Sequence, residues 1–371
     1  MARIVAFYLP QFHPIPENDE WWGKGFTEWT NAAKAKPLFP GHYQPHVPAD
    51  LGFYDLRVAE TRAAQAEMAR TYGIEAFCYY HYWFDGKRLL ERPFNEVLES
   101  GQPEFPFCLC WANATWSGIW HGNPNRILVE QTYPGAEDYE SHFRELLKAF
   151  RDQRYLKVDG KPLFIIYKPK DVPNIQSVAH LFRQMAERAG LPGLYLVGVA
   201  HRDNWDPKAN GFDAVVQQNL PGLKSHVPWR YPLLKLKAKL GGHRLTIYEY
   251  KDLVETFIPD KTLQPEYLPC LIPSWDNTPR SGMNGLVMHG STPELFRHSV
   301  RQALQNVSGN PPEHRLVFLK SWNEWAEGNH MEPDLRFGHG YLEVLRDEVV
   351  TSGIEAEGIT CVEPRGTAGS I

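Results

Sequence analysis

The sequence predicts an α/β fold: one (β/α)8 TIM barrel with long βα loops and one basic insertion. Three observations lead there. Eight short runs rich in β-branched and aromatic residues alternate with longer segments of helical period. That alternation marks parallel βαβ units. The length, 371 residues, suits one barrel, which typically takes roughly 250 residues and tolerates insertions beyond 400.

Taken in order, the expected strands are Ile4–Leu9, Ala76–Tyr82, Phe107–Trp111, Leu163–Tyr167, Tyr195–Ala200, Ala214–Gln218, Tyr267–Pro273 and Leu316–Ser321. Helical patterns run from Leu56 to Tyr72, Glu137 to Arg151, Ile175 to Ala189, Thr292 to Gln305 and Gly340 to Val350. A doubly wound open sheet is the competing arrangement. It is weaker because no glycine-rich phosphate turn follows the first strand, which Pro10 ends. Residues 10–55 form a long loop dense in Pro, Gly and rings, among them Trp21, Trp22, Trp29 and Tyr43. Loops of that length are uncommon unless functional or disordered, and this one holds too many rings for disorder. Residues 220–245 hold six Lys or Arg and no Asp or Glu, which predicts a solvated basic face. The expected organisation is one catalytic barrel over 1–350, with a poorly ordered tail over 351–371.

The net charge of −5 offers no global reason for a nucleic-acid partner. Cys78, Cys108, Cys110 and Cys270 lie in apolar segments and are expected to act as small core hydrophobes, which suits a reducing compartment. The first strand begins almost at once, leaving no space for a secretion signal, and no apolar run approaches the ~18 residues of a membrane helix. The expectation is a soluble, cytoplasmic protein, secreted or periplasmic if a leader has been removed. The aromatic load, 12 Trp, 17 Tyr and 19 Phe, lies largely beside Asn, His, Gln and Glu. Sugars need rings next to hydrogen-bonding groups, though large barrels also bury many rings.

Reacting groups in such a barrel project from the C-terminal ends of the strands and the loops after them. Tyr8, Gln11 and His13 stand at the first end, His81 at the second, Trp111, Asn113 and Trp116 at the third, and Lys168 at the fourth. Trp275 and Asp276 stand at the seventh, and Trp322, Asn323 and Trp325 at the eighth. Glu28 and Trp29 come from the long first loop. This distribution predicts a carbohydrate cleft, with these residues as substrate contacts. Glycoside cleavage generally needs two carboxyl groups, and Glu324 and Glu327 follow the eighth strand three residues apart. One helical turn would place both on one face, with Trp322 and Trp325 to desolvate them. The alternative is a helix start that carries two glutamates for dipole reasons. Glu28 and Asp276 are the reserve carboxylates.

The segment Ser321-Trp322-Asn323-Glu324-Trp325-Ala326-Glu327-Gly328, continuing to Glu332-Pro333, resembles the catalytic stretch of glycoside hydrolase family 99, endo-acting α-mannosidases and mannanases. It is closer still to the WbsX-like proteins of bacterial polysaccharide loci. Residues 6–14, 25–31, Tyr43-Gln44-Pro45-His46 and 108–113 share that resemblance in collinear order. What it implies is a retaining mechanism without an enzyme nucleophile. Glu324 would deprotonate the substrate 2-hydroxyl to form a 1,2-anhydro sugar, and Glu327 would act as acid, then base. Ala326 stands where the mannosidases tend to carry histidine, so mannose is not carried over.

No cofactor and no metal are expected. His42 and His46 are four apart, but Pro45 disfavours the helix that would align them. Beside the hydrolase, two readings stay open: a glycosyltransferase or transglycosylase of O-antigen or capsule synthesis, and a non-catalytic glycan-binding barrel.

Overall fold

The computed structural model describes residues 1–118, 123–201, 205–220, 245–258 and 264–356. Eight strands form the barrel: β1 (Arg3–Tyr8), β2 (Ala76–Phe84), β3 (Phe107–Trp111), β4 (Lys161–Ile166), β5 (Tyr195–Ala200), β6 (Ala214–Gln217), β7 (Tyr267–Leu271) and β8 (Leu316–Leu319). Each pairs in parallel with the next, and β8 closes on β1 with Ala6 opposite Leu319. Both faces of these strands are covered, so they are near-continuous apolar runs, and all nine residues of β2 are buried.

Helices α1 (Pro16–Trp22), α2 (Glu28–Lys34) and α3 (Ala59–Thr71) all lie between β1 and β2. The crossovers continue with α4 (Arg92–Ser100), α5 (Ala136–Phe150), α6 (Ile175–Arg188), α7 (Tyr250–Phe257), α8 (Pro293–Val307) and α9 (Gly340–Ala356). In α5, Tyr139, His142, Phe143, Leu146, Ala149 and Phe150 are buried, the three-and-four spacing of a stripe laid on the barrel. Between β5 and β6 the described residues hold only a short 3-10 turn, Lys208–Asn210.

The strand and main helix assignments agree with the sequence reading to within a few residues. The long first loop is not structureless: it folds into α1 and α2, which Pro16 and a Thr27–Thr30 capping box begin. The last helix runs six residues past Val350, and the rest of the expected tail lies outside the described residues. So does almost all of the basic segment 220–245. The four named cysteines are buried and free. No helix among the described residues is long and apolar enough to cross a membrane.

Candidate active site

The C-terminal end of β8 runs into a tight hairpin. Asn323–Glu324 pairs antiparallel with Asn329–His330, and a 3-10 turn, Trp325–Glu327, joins them. Ser321 Oγ accepts from the backbone N–H groups of Asn323 and Glu324 at 3.1 and 3.0 Å, fixing the entry. Gly328 ends the turn at φ +54, where a Cβ would lie 2.9 Å from Asp276 Cβ. Side chains three apart eclipse on a 3-10 turn, so Glu324 and Glu327 are brought into a mutual hydrogen bond.

Two cations flank this pair. Lys320 Nζ donates to Glu324 Oε2 at 3.2 Å. Arg280, from the short helix Thr278–Ser281, donates Nη1–H to Glu327 Oε1 and Nε–H to Glu28 Oε1, the latter at 2.7 Å. Burial pushes Glu324 up to about 8, helped by the negative Glu327 and opposed by Lys320 and Arg280. Burial would raise Glu327 too, but Arg280, the Glu324 proton and Lys320 outweigh it and hold Glu327 down at about 2. The pair therefore keeps one proton, placed on Glu324.

Above the pair lies a cavity of about 320 Å³. Gln11, Trp116 and Trp275, three of the expected contacts, form part of its wall, and Glu324 and Glu327 line it too. Tyr80, Tyr82, Tyr167, Asn18, Trp22, Arg280 and Lys320 also line it, and none of them is among the contacts expected from the sequence. A signal existed for two of them. Side chains alternate along a strand, so an inward Tyr80 and Tyr82 oblige His81 to face the helices. His81 does so, 3.0 Å from His142 Nε2. The amide of Asn18 is fully buried at this wall and meets no hydrogen-bond partner among the described residues.

Most other expected contacts hold the scaffold together instead. Tyr8 donates to Gln65 Oε1 at 2.6 Å, and Trp29 Nε1 to the Tyr54 carbonyl at 2.8 Å. His13 Nδ1 lies 3.1 Å from the Pro10 carbonyl, and Trp111 Nε1 donates to the Trp83 carbonyl. Asn113 locks the backbone of Lys168 through both amide atoms, while the Lys168 side chain lies 3.7 Å from Asp171. Asn323 does the same for Leu9, joining the ends of β8 and β1. Trp322 packs on Phe77 in the core, and Trp325 Nε1 donates to Glu332 Oε2 at 2.6 Å. None of these lines that cavity, and the amides of Asn113 and Asn323 and the indoles of Trp29, Trp111 and Trp325 are taken up by buried backbone or a buried acid.

The reserve carboxylates are also committed. Glu28 is held by Arg280, and Asp276 accepts from Gln44 Nε2, Thr278 N and Thr278 Oγ1, with His42 Nε2 at 2.6 Å. His42 turns to Asp276, whereas His46 meets a distant partner: its Nδ1 lies 2.9 Å from His330 Nε2.

Residues 4–345 match the sequence family described as Glycosyltransferase WbsX. Two curated relatives from strains of Xanthomonas campestris pv. campestris, each named uncharacterized protein WxcX, are 40% identical over 348 residues and 38% over 352. The matches cover 93% of this chain and 49% of each relative, so the chain spans about half the length of the curated relatives it matches. Among solved structures, the GH99 endo-alpha-mannosidase from Bacteroides thetaiotaomicron superposes with a TM-score of 0.59 at 14% identity, covering 96% of this chain and 98% of that one. A protein described as glycoside hydrolase-like gives 0.56 at 17%, covering 94% and 93%. At such identities the likeness shows the shared (β/α)8 fold alone.

Proposed function

The chain belongs to the glycosyltransferase WbsX family, and on that premise we propose that it is a retaining glycosidase of a bacterial surface polysaccharide or related oligosaccharide. The observation that carries this reading is the Glu324–Glu327 pair, one proton between two carboxyls, set at the polar end of an aromatic-walled cavity. One acid and one base are the equipment that glycoside cleavage needs.

The spacing supports participation by the substrate 2-hydroxyl. Two carboxyls that flank a scissile bond stand about 5–5.5 Å apart in enzymes with a covalent intermediate and about 6.5–9.5 Å apart in inverting ones. Hydrogen-bonded carboxyls on one turn are closer than either. In the proposed sequence Glu324 takes the proton of the 2-hydroxyl, and O2 closes on the anomeric carbon. The bond to the leaving oxygen breaks as Glu327 protonates it. Glu327 then takes a proton from water, whose oxygen opens the 1,2-anhydro ring, and Glu324 returns a proton to O2.

A second reading exchanges the two roles. The Arg280–Glu327 ion pair favours it, because it holds Glu327 ionised and leaves the proton on Glu324. A sugar acceptor in place of water would turn either scheme into transglycosylation with the same residues.

The test is a screen of capsule and O-antigen polysaccharides with product analysis by NMR. The reading expects cleavage with retention at the first-formed anomer, and no covalent adduct on intact-protein mass spectra with a 2-fluoro substrate. An inverted product, or an adduct on Glu324, Glu28 or Asp276, overturns the mechanism. Turnover that requires a sugar nucleotide overturns the glycosidase.

A further inference from the structure

A second cavity, of about 180 Å³, opens on the other side of Trp275, the residue both cavities share. His46, His330 and Asp334 line it, all three buried. They come from distant parts of the chain, His46 from the long first loop and the others from just beyond the catalytic turn. One nitrogen or oxygen from each lies within 4.8 Å of the others.

The surroundings orient these atoms toward one point. His330 Nδ1 lies 2.9 Å from the Glu332 carbonyl, to which it can only donate, so its Nε2 presents a lone pair to His46. Asp334 Oδ1 accepts from the backbone N–H groups of Arg336 and Phe337 at 2.9 and 2.7 Å. Its Oδ2 lies 4.0 Å from His330 Nε2, and the Tyr43 hydroxyl also hydrogen-bonds this carboxylate. The His330 ring is held flat by Trp325, with centroids 3.7 Å apart. A backbone carbonyl behind one histidine and backbone amides behind the carboxylate are the outer contacts that orient metal ligands.

We propose that His46 Nδ1, His330 Nε2 and Asp334 Oδ2 bind one divalent transition-metal ion of the zinc class, with a fourth position open to the cavity. Two imidazoles and a carboxylate suit zinc, whereas magnesium and calcium take oxygen sets. Bonds of about 2.0–2.1 Å place tetrahedral donors roughly 3.3 Å apart. The 2.9 Å contact would open slightly and the 4.0 Å gap would close by about 0.7 Å on that geometry. His46 would carry its proton on Nε2. The ion would tie the first loop to the hairpin that bears Glu324 and Glu327, and it is independent of the catalytic reading.

The experiment takes the full chain, strips it with a chelator and dialyses it against ZnCl2 or MgCl2. Bound metal is then read by mass spectrometry, melting by calorimetry, and geometry by the visible spectrum of the cobalt-substituted protein. The expected result is one zinc per chain, a raised Tm, tetrahedral cobalt bands and no shift with magnesium. His46→Gln and Asp334→Asn should each weaken zinc binding roughly tenfold or more. Wild-type protein that takes up no zinc overturns the site, as does zinc binding unchanged in both variants or an equal response to magnesium. Should one variant fail to fold, the other and the wild-type stoichiometry still decide.

Discussion

Lys320 Nζ stands 3.2 Å from Glu324 Oε2, with both side chains cut off from water. On its own that contact would hold Glu324 ionised. The wider site reverses it: among the described residues, the ion pairs of Glu28, Glu324 and Glu327 are made with two cations, Arg280 and Lys320. Burying an uncompensated charge costs several kcal/mol, so one proton is retained to balance the set. Arg280 serves Glu28 and Glu327 together, which leaves Glu324 to hold it.

Leaving-group dependence should separate the two glutamates. Glu327→Gln is expected to abolish activity on poor leaving groups and to spare more of it on activated aryl glycosides, which need less protonation. Glu324→Gln should be nearly inactive on both, since ring closure still needs its base. The reverse pattern in kcat/KM would establish the exchanged roles.

Activity should require the singly protonated pair. With Glu324 up at about 8 and Glu327 down at about 2, kcat/KM is expected to be flat near neutrality and to fall above about pH 8. Lys320 favours the ionised form, so Lys320→Met should move that limb to higher pH. A limb that stays in place would separate Lys320 from the titration.

Stability should fall as pH rises from about 4.5 to 8, because the native state there holds a proton on Glu324 that the unfolded chain has lost. Glu332, raised by burial to about 7 against hydrogen bonds from Trp325, Gln65 and Tyr54, acts in the same direction. Glu327 contributes oppositely: its stabilisation is present above 4.5 and is lost as pH falls toward 2. Glu324→Gln keeps the neutral state and should flatten the alkaline decline. Urea midpoints across this range provide the check.

Arg280→Met leaves Glu28 fully buried without its ion-pair partner. A loss of about 3–5 kcal/mol is expected from breaking such a pair. Adding Glu28→Gln should recover part of it, which a double-mutant cycle in urea would measure.

Gly328→Ala meets both a left-handed backbone and a Cβ contact at 2.9 Å with Asp276. The turn must shift to accept it, so Tm should drop and activity should fall by more than the unfolded fraction explains. Unchanged kinetics would show that the turn geometry is not needed for catalysis.

The barrel was legible because its elements are local. Two-fold and 3.6-fold apolar periods and short punctuated runs place β1–β8 and most helices to within a few residues. The Glu324–Glu327 pair was legible for the same reason, since three residues span one turn. The rest of the site is non-local. Arg280 reaches Glu28 across 252 residues and Glu327 across 47, and no pattern in the chain announces either contact. His46 and His330, 284 residues apart, escaped a search by spacing because spacing tests only one helix or loop at a time. Side chains such as Asn323, Trp325 and Asn113 have a sugar-binding chemistry in sequence, yet they serve buried backbone and acids in the fold. An amide hydrogen-bonds whatever polar group the tertiary structure places within about 3 Å, and composition cannot tell a sugar hydroxyl from a peptide carbonyl.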